Sequence, residues 1–509
     1  MKYYLGLDNG GTATKAAIFD GRGREIASSS VQTAMITPRP GFTDRDMEEM
    51  WRANCAVIRG AIEKSGCRPG QIAAVAVCGH GKGLYPWGRD GRPARHGIIS
   101  TDNRAWQYVK KWREDGAEKL AYEISLQHVL ACQPVALLAW LKDNEPQNYS
   151  NIEWAFECKD YVRFRLTGEA MAEITDYSGA NLMNLRTRAF DRRLLGIFGI
   201  DEVWDALPPL CGSAEICGYV TKAAAADCGL SEGTPVAGGM FDIDACAIAV
   251  NVVNPENICM IAGTWSINEY LRTEPVTDGR VLMNSLFCLP EYYLIEESSA
   301  TSAGNNEWFV RRLLPEVLES EEREGRSVFD LVEKWAGGIP PEAYCPVFLP
   351  FLMASNVHPN AKGSFVGMSN FHTRAHLARS VYEGITFSHK YHLDKLLATR
   401  TEPPRAIRLS GGVVNSKLWL QMFADCLGFP IETVEVNEPG ALGCAIAASV
   451  AVGDYSSLAE ASGEMCVISE AIFPRPEYAD AYMRKYGIYM RVIEALDPIW
   501  PEIQDLMDT

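Results

Sequence analysis

The chain of 509 residues lacks any basic cluster, although it carries 48 lysines and arginines. These are scattered among 65 acidic residues, for a formal net charge of −17. Nucleic acid and anionic membrane are therefore not expected partners. No uninterrupted apolar run reaches transmembrane length, and no secretory n-region and h-region precede the first strand, predicted to begin almost at Met1. A cytoplasmic location is the expectation. The fifteen cysteines include no CxxC pair, and most, such as Cys246, Cys259 and Cys426, lie in apolar context. They read as reduced packing residues, and a zinc site is not expected. Linkers and low-complexity tracts are also missing. The remainder, 47% hydrophobic and 22% charged, is ordinary globular composition with length for two domains.

The most informative stretch is the first turn, Tyr3-Tyr4-Leu5-Gly6-Leu7-Asp8-Asn9-Gly10-Gly11-Thr12-Ala13-Thr14-Lys15. A β-prone run ends in one carboxylate, Asp8; two glycines and two hydroxyls follow, then a second apolar run. This predicts a β-hairpin whose turn lets backbone amides approach an anion. A Mg-nucleotide satisfies both features, with amides and hydroxyls on phosphate oxygens and the carboxylate toward the metal. An ordinary hairpin, with Gly10 and Gly11 supplying only positive φ, is the alternative.

A third strand, Ile26 to Val31, completes an antiparallel meander. Asp44 opens a helical pattern through Met47, Met50, Trp51, Cys55, Ile58 and Ile62. The buried strand Ile72 to Cys78 ends in Gly79-His80-Gly81-Lys82-Gly83, polar residues among glycines beyond a strand, as ligand loops often are. A short strand at Ile98-Ile99 runs to Asp102 and Arg104, and a mostly helical region from Trp106 to Arg165 is broken at Gln133-Pro134. The stretch Gly238-Gly239-Met240-Phe241-Asp242-Ile243-Asp244 repeats the order glycine turn, carboxylate, helix. The opening theme returns at Asn257 to Ile267, with the turn Gly263-Thr264 between strands, so an internal duplication is read with its boundary near residue 250. In the second half a long helix from about Ala375 to Leu397 precedes the strand Ala406 to Ser410. The turn Gly411-Gly412 suits a base or phosphate against backbone, with a helix from Leu418 to Leu427 behind it. A small-residue helix starts at Pro439-Gly440-Ala441-Leu442-Gly443.

These motifs together resemble the FGGY carbohydrate kinases of the actin/hexokinase/Hsp70 superfamily. Asp8 to Lys15 resembles that family's phosphate-1 element, Gly263-Thr264 its second phosphate hairpin, and Gly411-Gly412 through Gly443 its adenosine element. Phe365-Val366-Gly367-Met368, His376-Leu377 and Val381-Tyr382-Glu383-Gly384 fit its C-terminal signature. Its N-terminal signature surrounds Pro134 and Trp140-Leu141, with Leu137 in place of the usual lysine. The resemblance implies an α/β fold of two duplicated ribonuclease H-like (actin-like ATPase) domains, 1–249 and 250–509, around an interdomain cleft that closes at a hinge near residue 250. Pro40-Gly41-Phe42-Thr43, Gly81-Lys82-Gly83-Leu84 and Phe387-Ser388-His389 resemble most the members acting on L-xylulose. Erythritol kinases are also similar, so another polyol or ketose is the alternative substrate.

Under this resemblance ATP and Mg²⁺ are the expected cosubstrate and cofactor, and a sugar or polyol is the acceptor. Asp242 is implied as general base and Asp8 as the metal carboxylate. Phosphate and nucleotide are expected on Gly10, Gly11, Thr12, Lys15, Gly263, Thr264, Gly411, Gly412 and Asn415. His80, Lys82 and Asp102 are sugar-contact candidates beside Asp242. From the residues alone, Asp242 reads equally as a helix N-cap and Asp244 competes for both roles; the family motif favours Asp242 as base. A non-catalytic sugar or ATP sensor of the same fold is the reading from another class, and a homodimer is left open.

Overall fold

The computed structural model describes residues 2–508 apart from 354, 356 and 470. The chain forms two compact units. The first takes in Met1–Val253, Leu271–Ile295 and Glu435–Val467, and the second Asn254–Tyr270, Glu296–Val434 and Ile468–Thr509.

The first unit opens with the expected meander. Strands Tyr3–Asn9, Ala13–Asp20 and Glu25–Gln32 pair antiparallel in sequence. Strand Ile72–Gly79 lies parallel to Tyr3–Asn9 on its other side, followed outward by Pro235–Ala237 and Ile216–Tyr219. Met240–Phe241 pairs with the end of Ile72–Gly79, which brings the residues before Asp242 beside the loop after Gly79. The first strand is buried along most of its length, as a strand covered on both faces must be. Alternate side chains divide between the faces. Leu5 and Leu7 share a core with Met50, Trp51 and Ile58 of helix Met47–Ser65. Gly6 faces the other way, where a Cβ on it would lie 1.9 Å from the carbonyl oxygen of Ala441. Helix Pro439–Ala451 thus packs backbone to backbone on the first strand, a contact only glycine permits.

Helix Met47–Ser65 starts later than its sequence pattern suggests. Asp46 caps it, accepting from the amides of Glu48 and Glu49, while Asp44 belongs to the short strand Asp44–Arg45. The predicted helical region from Trp106 to Arg165 is interrupted by an unforeseen strand, Ile152–Phe156, paired with Tyr85–Gly88. Its helices share a separate core that includes Val135, Leu138 and the atypical Leu137, which is fully buried. An apolar residue where the signature has a lysine is here a packing residue.

In the second unit, hairpin Ile258–Ala262 and Ser266–Arg272 is flanked by parallel strand Ile407–Ser410, itself flanked by Ile431–Glu432. Hairpin plus parallel strand is the same local plan as in the first unit. Helices Arg374–Leu397 and Lys417–Leu427 pack through Tyr382 stacked on Trp419, with ring centroids 4.1 Å apart. Among the described residues no helix is long and apolar enough to cross a membrane. All fifteen cysteines are free, and all but Cys67 and Cys246 are buried.

Candidate active site

The hairpin register places Asp8 opposite Lys15 and Asn9 opposite Thr14. The turn is closed by the Gly10 amide donating to Ala13 O at 3.0 Å. It is tied from behind by Arg45, a residue the sequence reading passed over. Arg45 is 1% exposed, and its guanidinium donates to Gly10 O at 3.1 Å and also to Gly11 O. Asn9 and Asn54 exchange amide hydrogen bonds of 3.2 and 2.8 Å, fixing the hairpin to helix Met47–Ser65. Thr12 at the tip is exposed.

Asp8 sits at the first turn of helix Pro439–Ala451. A Cβ on Gly440 would come 2.8 Å from its Oδ2, so the helix backbone reaches the carboxylate directly. A helix N-terminus favours such a charge. Burial nevertheless lifts the Asp8 carboxyl to about 6, with Lys15 opposing and Glu438 adding to the rise. The Lys15 Nζ donates to Glu438 Oε2 at 2.8 Å. Glu438 is a second residue that sequence reasoning missed, because its partner lies 423 positions away.

Helix Asp242–Ala249 begins at Asp242 itself, with Phe241 in the capping position and no side-chain cap. Asp242 is therefore the first helical residue rather than the cap. Burial pushes its carboxyl well above the ordinary range; Asp8 and Asp176 add to this, while Lys82 opposes. Asp244 has a different environment. It is fully buried, its Oδ1 accepts from the Cys288 amide at 3.1 Å, and its Oδ2 has no hydrogen-bond partner. Of the two carboxyls that compete in the sequence, only Asp242 keeps partial exposure.

The loop after strand Ile72–Gly79 lies against the Asp242 turn. Lys82 adopts φ 63° and places its Nζ 5.2 Å from the centre of the Phe241 ring. His80 is 6% exposed, with Nε2 2.8 Å from Tyr85 Oη. Burial, then Arg45, pulls its imidazole down to about 3, so it is neutral. Asp102 is 3% exposed and fully engaged. It accepts from the amides of Thr43 at 2.6 Å and Arg104 at 2.8 Å, and from the Arg104 guanidinium at 2.8 and 2.9 Å. The strand ends at Ile98, yet Asp102 and Arg104 meet through this turn.

In the second unit the structure brings together two further sequence candidates. Gly411 has φ 96°, and a Cβ there would lie 2.5 Å from Ala262 O and 2.9 Å from the Gly263 amide, so its turn rests on the second hairpin. Thr264 and Gly412 are exposed, as is Asn415, whose side-chain amide donates to Gly412 O at 3.4 Å. Behind the hairpin, Ser266 and Asn268 bond to the buried His389 at 3.1 and 2.9 Å, and His389 also meets Ser302 at 2.8 Å.

Two units built on the same hairpin plan, one with a carboxylate at its turn and a second carboxylate at a nearby helix start, define the sugar-kinase class of the actin-like ATPase fold. Residues 3–249 match the N-terminal domain, and residues 258–452 the C-terminal domain, of the FGGY family of carbohydrate kinases. The chain belongs to that family. It is 35% identical over 506 residues, 99% of both chains, to the L-xylulose/3-keto-L-gulonate kinase of Escherichia coli K12. Two solved structures from Lactobacillus acidophilus each superpose with a TM-score of 0.88 at 24% identity, covering 99% of this chain. One is a gluconate kinase matched over 99% of its length, and the other a ligand-bound xylulose kinase matched over 100%. The equal scores of two differently named kinases mark a shared fold and not a shared acceptor.

Proposed function

We propose that this chain transfers the γ-phosphoryl group of ATP to a hydroxyl of a ketopentose, L-xylulose. The observation that carries the catalytic part is the placement of Asp242. It is the first residue of its helix, partly exposed, beside Lys82, and within electrostatic reach of Asp8. The substrate part rests on full-length similarity at 35% identity to a kinase named for L-xylulose, joined to the sequence likeness around Gly81-Lys82-Gly83-Leu84.

In this reading Asp242 accepts the proton of the attacking hydroxyl, while Lys82 favours its ionised form. His80 and Asp102 hold the walls of the sugar side, since their polar atoms are already committed to Tyr85, Thr43 and Arg104. Gly10, Gly11, Thr12 and Lys15 of the first unit receive phosphate oxygens, and Gly263, Thr264, Gly411, Gly412 and Asn415 of the second receive the nucleotide. The Asp8 carboxylate is a hard oxygen donor at a helix N-terminus, and its raised proton affinity marks a site short of positive charge, which fits Mg²⁺ held through water. Mg²⁺ bound there would neutralise charge on the transferring phosphoryl group. In this reading Lys15 turns from Glu438 toward phosphate when the nucleotide binds.

ADP release with Mg-ATP across a panel of ketopentoses, polyols and ketohexonates tests the proposal. The expected outcome is the highest kcat/KM on L-xylulose. A higher value on a polyol such as erythritol would replace the substrate and keep the mechanism. Gly81→Ala provides a second test, because a Cβ there would lie 2.4 Å from the Phe241 ring. We expect a rise in sugar KM of about tenfold, roughly 1.4 kcal/mol, with the ATP KM unchanged in steady-state kinetics.

A further inference from the structure

Behind the Asp242 turn lies a cluster of charges that the reaction does not use directly. Lys159 and Arg163, on helix Cys158–Thr167, face Glu157, Asp160, Glu173 and Asp176, and none of the six is more than 1% exposed. Lys159 Nζ is 2.9 Å from Asp160, 3.3 Å from Asp176 and 3.4 Å from Glu173, and Arg163 is 2.6 Å from Asp160. Two cations thus meet four buried carboxyl groups.

The donors are unevenly shared. Glu173 accepts from the Thr175 amide and hydroxyl, the Asp176 amide and Ser213 Oγ. Asp160 accepts from Lys159 and the Glu173 amide. Glu157 has no donor on either oxygen, and Asp176 has only the 3.3 Å ion pair with Lys159, although the two carboxyls lie in hydrogen-bond contact with each other. Were both ionised, Glu157 would be a buried charge without a donor, pressed against a second carboxylate. One proton between them supplies the missing donor.

The pair is also mechanically placed. Asp176 Oδ1 is 2.7 Å from where a Cβ on Gly81 would stand, so the carboxyl packs on the loop that carries Lys82. Its neighbour Thr175 accepts from the Phe241 amide at 2.9 Å, and Arg163 donates to Gly238 O at 2.6 Å. The segment leading into Asp242 is thereby pinned at both ends.

We infer that Glu157 and Asp176 share one buried proton and act as a positioning pair, seating the Gly81–Lys82 loop against the Asp242 turn. The kinetic part rests on the reading of that loop and turn given above; the proton itself does not. Glu157 holds it, since burial and the charge of Asp176 raise its proton affinity well beyond the ordinary range against the opposing pull of Lys159. Asp160, Asp242 and Asp244 are further charges that face the pair.

Infrared spectra of the substrate-free protein at pH 7 test the proton. Against wild type, Glu157→Gln is expected to lose carbonyl absorption of a protonated carboxylic acid and to keep its carboxylate intensity. Loss of carboxylate absorption instead overturns the inference. Kinetics test the positioning. Glu157→Gln retains a donor toward Asp176 and is expected to keep kcat and sugar KM within about threefold of wild type. Glu157→Ala, which removes the donor, is expected to raise sugar KM about tenfold and leave the ATP KM unchanged. Equal losses in the two variants, or no loss in the alanine variant, overturn the positioning role. The infrared arm needs no sugar, so failure of the substrate reading leaves it standing.

Discussion

Asp242→Asn is expected to lower kcat by about a thousandfold while ATP binding, measured by calorimetry, stays within about twofold. The amide keeps the shape of the side chain and removes only its capacity to take a proton. Asp244→Asn is the control, because that carboxyl is consumed by the Cys288 amide and burial holds its proton well above the ordinary range. The neutral variant should lose less than about tenfold. The pH profile carries the same sign. Burial, Asp8 and Asp176 all raise the proton affinity of Asp242, so the acid limb of kcat/KM should lie above the ordinary carboxylate range, with activity rising as pH rises. Lys82 opposes that shift, and Lys82→Met should move the limb further upward. Full activity in Asp242→Asn would place the base elsewhere, whereas a wild-type protein that binds ATP but forms no ADP with any sugar would favour the sensor reading.

Asp8→Asn should separate function from stability. We expect kcat to fall about a hundredfold or more, because the carboxylate assigned to Mg²⁺ is gone. The folded protein, by contrast, should gain. Burial raises Asp8 to about 6 from an ordinary 3.8, so the folded state binds this proton more tightly than the unfolded chain does. The stabilisation from protonation is fully present below 3.8 and is lost as pH rises through 6. At pH 8 the ionised carboxylate therefore costs stability, at most about 3 kcal/mol and less for a side chain with partial solvent access. The neutral variant should melt about 2–4 °C higher than wild type at pH 8, and the difference should vanish below pH 4. A lower melting point at pH 8 would show that the helix N-terminus at Gly440 and Lys15 outweigh the burial cost.

The parts of this chain that are legible in sequence are those whose physics is local. The first hairpin, the meander and the strands around Ile72 and Ile407 follow from alternating or continuous apolar runs between glycine turns. The start of helix Met47–Ser65 lies a few residues beyond the position its pattern suggests, because Asp44 and Asp46 look alike in sequence. Asp46 meets amides two and three positions on, whereas Asp44 is claimed by Arg95 and Arg104 from distant segments. The same distance hides Arg45, Glu438 and the Glu157–Asp176 pair. A carboxylate inside Ile174-Thr175-Asp176-Tyr177 was the available signal for the last, since an acid among apolar neighbours must be paired or protonated. Sequence pattern also cannot say that His80 and Asp102 spend their polar atoms on their own chain.

The contact of Gly6 with Ala441 has a consequence for the order in which the molecule is made. Strand Tyr3–Asn9 emerges from the ribosome long before helix Pro439–Ala451, which covers one of its faces. Until that helix is made, the face waits uncovered, with a groove where Gly6 has no side chain. The lengths of chain that close the first unit, Leu271–Ile295 and Glu435–Val467, follow the start of the second. Neither half can therefore be completed on the ribosome independently of the other, and the nascent chain depends on whatever shields an unfinished sheet until Glu435–Val467 arrives.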